Sequence, residues 1–174
     1  KNKKVMQRVH PCLVSNNSMI SKVDNELNTI IIDDEVTDKI MVVGKGAGKR
    51  PTAASIMADI LNIHDENKKN FFVVKNKKVN SLTSKDISKR EGKFYIRMGV
   101  DDKPGVLADI TLFFKKQKIS IKSMFQLDNK IKNIVPLIFV THKITEHKIS
   151  LVLKKIKALK KIKTKIILLR IEEL

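Results

Sequence analysis

The sequence predicts an α+β fold in two parts: an incomplete α/β segment, then a split-βαβ sandwich of order βαββαβ. Three observations carry this reading. Between residues 23 and 64, two apolar strands around a polar turn run into a glycine-rich turn and a helix. Over 67–93 the pattern dissolves into Lys, Asn, Ser and Asp. Beyond it, strand-like and helix-like periodicities alternate up to residue 174. Residues 1–66 therefore form the first part, 67–93 a linker and 94–174 the second part.

The elements follow in order. Residues 27–32 (LNTIII) are β-branched and apolar, Asp33-Asp34-Glu35 breaks the run, and 39–43 (KIMVV) resumes it, which predicts a hairpin. The second strand leads into Gly44-Lys45-Gly46-Ala47-Gly48-Lys49-Arg50-Pro51-Thr52. Its glycines allow tight backbone geometry, and Pro51 suits the first turn of a helix. That helix presents Ile56, Ile60, Leu61 and Ile63 on one side and fades at His64-Asp65-Glu66-Asn67. Within the linker only Phe71-Phe72-Val73-Val74 reads as a short strand.

In the second part, 94–100 is a strand, Asp101-Asp102-Lys103 a turn, and Pro104-Gly105 opens a helix carrying Val106, Leu107, Ile110, Phe113 and Phe114 on one face. Residues 119–126 alternate with period two, and Asp128-Asn129-Lys130 turns the chain. A partner strand over 133–142 is expected to be interrupted by Pro136. Ile149, Val152, Leu153, Ile156 and Leu159 mark a second amphipathic helix with lysines on its wet side, and 165–171 is the last strand.

Composition bounds the function. The 174 residues are 42% hydrophobic and 31% charged, ordinary for a globular chain. Apolar runs stop far short of the ~20 residues that span a bilayer, so a soluble chain with no membrane partner is expected. The chain opens on Lys1-Asn2-Lys3-Lys4, without Met or a following apolar stretch, so no secretory signal and a piece of a longer protein are expected. The single Cys12 can form no internal disulfide; it reads as a small packed residue in a cytoplasmic protein. The net charge of +18 raises nucleic acid as a partner, yet the cations are nearly all Lys and aromatics make up only 5%. Base readout and stacking are poorly served, so no nucleic-acid partner is assigned. His10, His64, His142 and His147 are scattered without metal-ligand spacing, and no metal is expected.

The glycine turn joins a strand to a helix start, where free N–H groups and the helix dipole favour an anion. Its G-x-G-x-G pattern matches neither the dinucleotide fingerprint nor a P-loop. From the residues alone, ligand contact and a structural turn both stay open.

Arg8-Val9-His10-Pro11, Asn28 at the head of a β run, Gly46-Ala47-Gly48-x-x-Pro51-Thr52-Ala53 and Met57-Ala58-Asp59-Ile60 resemble, in order, the end of the catalytic domain of homoserine dehydrogenases. The resemblance covers 5–64. It implies that the turn meets an NAD or NADP cofactor through Gly46, Ala47, Gly48 and Thr52. Two departures stand out: Asn25 where that family usually has glycine, and Lys49-Arg50 where small residues are usual.

Over 94–174, Asp101-Asp102-Lys103-Pro104-Gly105-Val106-Leu107-Ala108 and Ile119-Ser120-Ile121-Lys122-Ser123 resemble an ACT domain, a ferredoxin-like module that binds amino-acid effectors. Gly105 at a helix start would let backbone N–H groups reach a carboxylate, with Asp102 taking the amino group and Val106 and Leu107 alongside. The resemblance implies side-by-side pairing into a homodimer and favours threonine as effector. Together the two resemblances imply reduction of L-aspartate 4-semialdehyde to L-homoserine by the whole enzyme. No glycine-fingerprint βαβ unit and none of that family's substrate-binding lysine and acidic residues match this segment. No catalytic residue is therefore expected in it, the rest of a catalytic domain is its expected partner, and alone it should be inactive. The alternative is a free-standing amino-acid sensor.

Overall fold

The computed structural model describes residues 4–64, 82–127 and 133–173. The expected strand at 71–74 and the turn at 128–130 lie outside the described residues. In chain order the elements are β1 (Lys4–Val5), β2 (Cys12–Val14), β3 (Leu27–Asp34), β4 (Asp38–Lys45), α1 (Lys49–His64), β5 (Thr83–Ser84), β6 (Glu91–Asp101), α2 (Val106–Lys116), β7 (Ile121–Gln126), β8 (Ile134–Thr141), β9 (Ile144–Thr145), α3 (Glu146–Lys157) and β10 (Ile167–Glu172). They divide into two compact units, one holding the described residues up to Val14 together with 82–173, the other those from Ser15 onward.

The larger unit is the predicted split-βαβ sandwich with additions. Its sheet runs β2-β10-β6-β8-β7, and β9 pairs with the start of β6. The β10-β6-β8-β7 part is antiparallel throughout. Alternate residues of β6 (Phe94, Ile96, Met98, Val100) face Leu137 and Phe139 of β8 and the buried faces of both helices, Val106, Ile110 and Phe114 of α2 and Ile149, Val152 and Ile156 of α3. This is the period-two and period-3.6 matching that lets a sheet and two helices close one core. Phe114 and Phe139 stack with centroids 5.4 Å apart.

Three differences from the sequence reading have physical reasons. First, β6 begins at Glu91 rather than 94, because β9 pairs Glu91 and Gly92 with Thr145 and Ile144. Second, Pro136 does not interrupt β8. It stands opposite Gly99, whose N–H donates away from β8 to Thr164 Oγ1 (2.7 Å) and whose carbonyl accepts from Lys163 N (2.9 Å), so this pair uses no ladder bond. Pro136's own carbonyl faces Leu127, just past the end of β7, where a missing donor costs the ladder nothing. Third, β2 lies on the sheet of this unit, parallel to β10 with Cys12 opposite Arg170. Cys12 is exposed there, not packed, because an outermost three-residue strand has no layer over it.

The smaller unit holds the β3–β4 hairpin, in register from Leu27↔Lys45 to Asp34↔Asp38, and α1. Asp34 closes the hairpin by accepting from the N–H groups of Val36 (2.7 Å) and Thr37 (2.8 Å); the Thr37 hydroxyl first, and then these two N–H groups, hold its carboxyl below the usual range. Asn25 has φ +56°, the left-handed region that Asn tolerates better than most residues. No residue of α1 is buried, and its apolar side, Ile56, Met57, Ile60 and Leu61, lies open.

Candidate functional site

The glycine turn connects β4 to α1 within the smaller unit. Gly48 sits at φ +127°, a conformation that a side chain strains. Gly46 lies so close to Asn28 that a Cβ would meet its side-chain amide. The turn is tied at both ends: Gly46 N donates to the Glu26 carbonyl (2.9 Å), and Thr52 N donates to the Gly48 carbonyl (3.1 Å). A concavity of about 490 Å³ opens beside it, lined by Glu26, Lys45, Ala47, Gly48, Lys49, Arg50 and Pro51. Of the four residues expected at the cofactor, Ala47 and Gly48 line this space, whereas Gly46 and Thr52 hold the turn's shape. Lys45 pairs with Glu26 at 3.1 Å, and hydrogen bonds from Glu26's own backbone and from Lys45 keep that carboxyl below its usual range. Lys49 and Arg50 make the rim cationic.

In the larger unit, the loop between β6 and α2 forms the second candidate site. A small recess of about 50 Å³ is lined by Val100, Asp101, Asp102, Lys103, Val106, Leu107, Gln126, Val135 and Leu137. Three of the four expected effector residues, Asp102, Val106 and Leu107, are there. Val106 is also a core residue, 2% exposed. Gly105 is not in the lining; it caps α2 at φ +85°, and a Cβ there would meet nothing within 4 Å. That open space lies at the helix start, where N–H groups have no partner within the helix. Asp101 pairs with Lys163 at 3.3 Å. Asp102 makes no ion pair among the described residues and its backbone N–H donates to Asn133, which leaves its carboxylate available to a cation. Gln126 and Asn133 had no local signal: they reach this loop only through the β7–β8 pairing.

A third cluster was invisible in the sequence. Arg90 is 5% exposed and reaches Glu172 (2.7 Å) and Glu146 (3.4 Å), while Arg170 grips Glu146 at 2.5 and 3.1 Å. Gly92 leaves the room that Arg90's guanidinium fills, and that group also lies 5.8 Å over the Phe94 ring. From the first residues of the chain, Arg8 (3.0 Å) and His10 (3.3 Å) meet the same Glu172. Burial pushes the Glu172 carboxyl up, but the charges of Arg90 and Arg8 and the hydrogen bond with His10 outweigh it, so it lies below the usual range. No group of three or more metal-ligating side chains occurs among the described residues, and no described helix is long and apolar enough to cross a membrane.

Two family models match the chain. The homoserine dehydrogenase family model matches residues 2–61, and the ACT domain model matches 94–161. Homoserine dehydrogenase of Pseudomonas aeruginosa is 27% identical over 174 residues, covering 96% of this chain and 40% of that protein. The Helicobacter pylori homoserine dehydrogenase is 28% identical over 155 residues, covering 89% and 36%. The crystal structure of a homoserine dehydrogenase from Thiobacillus denitrificans superposes with a TM-score of 0.79 at 27% identity, over 99% of this chain and 40% of that one. The chain thus spans about two fifths of the length of the relatives it matches. The homoserine dehydrogenase model thus lies on the first third of the chain and the ACT domain model in its second half, and homoserine dehydrogenases align along nearly its whole length, as the C-terminal part of such an enzyme would.

Proposed function

We propose that this chain supplies two parts of an enzyme that reduces L-aspartate 4-semialdehyde to L-homoserine: a cofactor-facing turn and an amino-acid sensor. The observation that carries the first part is the turn itself. Gly48 is bent into a conformation reserved for glycine, at the head of a sixteen-residue helix, beside a concavity rimmed by Lys49 and Arg50. Free N–H groups, a helix dipole and two cations suit a dinucleotide phosphate, of NAD or NADP. Lys49, Arg50 and the backbone of Ala47 and Gly48 would hold it, and the nicotinamide, when bound, supplies the hydride. Gly46 and Thr52 keep the turn in shape. We assign no catalytic side chain to this segment and expect no turnover from it alone. The open apolar side of α1 supports a partner in the rest of a catalytic domain.

For the second part, we assign the β6–α2 loop to an amino-acid effector, threonine by preference. Its carboxylate would meet the N–H groups at the start of α2 beside Gly105, and its ammonium Asp102, which makes no ion pair among the described residues, with Val106 and Leu107 as the apolar wall. A recess of about 50 Å³ exceeds a single water's share of liquid, about 30 Å³, only modestly. It takes one end of such a ligand, and the remainder needs a second wall. A second copy of the ACT domain would supply it, which supports a homodimer. Absence of disulfide chemistry fits a cytoplasmic setting.

Calorimetric titration of the chain with threonine, methionine, lysine and isoleucine, repeated on Gly105→Leu, tests the sensor. Saturable binding of one amino acid, abolished by the substitution, is the expected result. No binding of any, or binding unaffected by the substitution, overturns the assignment.

A further inference from the structure

Another concavity, of about 350 Å³, opens between α2 and α3, lined by Phe113, Lys116 and Gln117 on one side and Leu151, Val152 and Lys155 on the other. It shares no residue with the recess at the β6–α2 loop. Its floor is apolar: Val152 is buried in the core, Phe113 packs half-buried against it, and Leu151 stands open to solvent at 38% exposure. The volume lies at the low end of the roughly 300–1,000 Å³ of small-molecule sites. The stems of Lys116 and Lys155 add to the apolar wall while their charged tips stay at the rim.

The charge around it is of one sign. The two helices carry six lysines, Lys115 and Lys116 on α2 and Lys148, Lys154, Lys155 and Lys157 on α3, against two acids, Asp109 and Glu146. Both acids are already engaged, Asp109 with Lys161 and Glu146 with Arg90 and Arg170. None of the six lysines makes an ion pair among the described residues. Soluble surfaces ordinarily mix both signs, and an acid four residues before a lysine is the usual helical pairing. Those positions here hold Leu112 before Lys116 and Leu151 before Lys155, so apolar side chains and free cations share one face.

We propose that this concavity binds a small amphiphilic anion, a carboxylate on an apolar chain or ring, with its body against Phe113, Leu151 and Val152 and its charge at Lys116 and Lys155. The lining specifies both halves of the ligand: the apolar floor requires the body, and the unpaired ammonium groups set the sign of the head. Neither half is enough alone. One exposed lysine–carboxylate pair strengthens binding by only about threefold, so a bare anion is held weakly. An apolar body adds the removal of Leu151 and its neighbours from water, and the cationic rim selects among such bodies.

The test is an NMR titration of the full chain with decanoate, kept below the concentration at which it forms micelles. Saturable shifts are expected at the amides of Lys116, Gln117, Leu151 and Lys155, with those of Phe94 and Ile96 in β6 unmoved. Butyrate has the same head on a shorter chain, and decyltrimethylammonium the same chain with a cationic head; each is expected to bind at least about tenfold more weakly. Lys116→Ala combined with Lys155→Ala should weaken decanoate about tenfold, and Leu151→Ser by a similar factor. All three side chains are exposed, so the fold tolerates these changes, and unaltered β6 resonances check that it does. Butyrate binding as tightly as decanoate overturns the apolar half of the proposal, and decyltrimethylammonium binding as tightly overturns the anionic half. Shifts that are absent, that do not saturate, or that the variants leave unchanged overturn the site altogether.

Discussion

A side chain at Gly105 separates two properties that the sensor assignment joins, stability and ligand access. Gly105 has φ +85°, and a Cβ built there meets nothing within 4 Å. The cost of substitution is therefore conformational and independent of side-chain size. A left-handed non-glycine residue costs about 1–2 kcal/mol, and Asn, which visits that region more readily, costs less. The expected order of stability is Gly, then Asn, then Ala and Leu together, with Ala and Leu down by about 1–2 kcal/mol. Ligand binding should follow a different order. The open space next to Gly105 is the space a carboxylate needs, so Ala weakens binding about tenfold, roughly 1.4 kcal/mol, and Leu abolishes it. Because the chain forms two compact units, a single melt is a poor measure. Native-state hydrogen exchange at the amides of Phe94, Ile96 and Met98, in the central strand of the sandwich, reads this unit alone. If Leu destabilises by over about 1 kcal/mol more than Ala, the space is not open and the geometric argument fails. If Asn costs as much as Ala, the backbone argument fails.

Other perturbations follow from the same coordinates. Gly99→Ala places a Cβ 2.6 Å from Thr164 Cγ2 and 3.0 Å from Ile134 Cγ2, so overpacking should cost about 1–3 kcal/mol by exchange of the β6 amides. Among the described residues, Glu146→Ala leaves Arg90 buried with Glu172 as its one carboxylate and strips Arg170 of its ion-pair partner; a loss of about 3 kcal/mol, read the same way, is expected, and a loss below about 1 kcal/mol would show the pairs to be incidental. Glu172 has its carboxyl held below the ordinary value of 4.5 by Arg90, Arg8 and His10, against the effect of burial. Its contribution is therefore fully present above that value and lost as pH falls through the lower folded one. In an acid titration the β2 amides at Leu13 and Val14 should loosen below pH ~4.5, and loosening between pH 7 and 5 would contradict this.

The sandwich was legible because its signals are local. Phe94, Ile96, Met98 and Val100 at period two, and Val106, Ile110 and Phe114 at helical spacing, state which faces are buried before any pairing is known. That Asp102 and Gly105 lie together at a helix start was legible for the same reason, since a helix start and its neighbours are adjacent in sequence. What stayed hidden depends on pairing between distant segments. Nothing in Cys12-Leu13-Val14 says that it joins β10, 158 positions on from Cys12 by the Arg170 register, and so nothing marks Cys12 as exposed. Arg90 and Glu146 read as ordinary linker and helix-end charges, and only the β6–β9 pairing brings them together. Pro136 read as a break because the rule against proline in a central strand holds only where the ladder needs its N–H, and the geometry at Gly99 and Leu127 shows that it does not.

Arg8 and His10 on Glu172 help to decide where the N-terminal arm, residues 4–14, sits, because β2 itself buries little apolar surface. A three-residue strand with two exposed side chains has almost no hydrophobic pattern to fix its pairing, and such strands slip easily. Arg8 and His10 meeting one oxygen of Glu172 remove that freedom, because a slip by one residue carries both away from the carboxylate. Polar groups at packed interfaces fix register at a cost in stability, and an ionic contact beside a short strand does the same. The arm's docking should accordingly be specific yet shallow: one geometry, readily left. A strand held by a large apolar surface would have the first of these properties without the second.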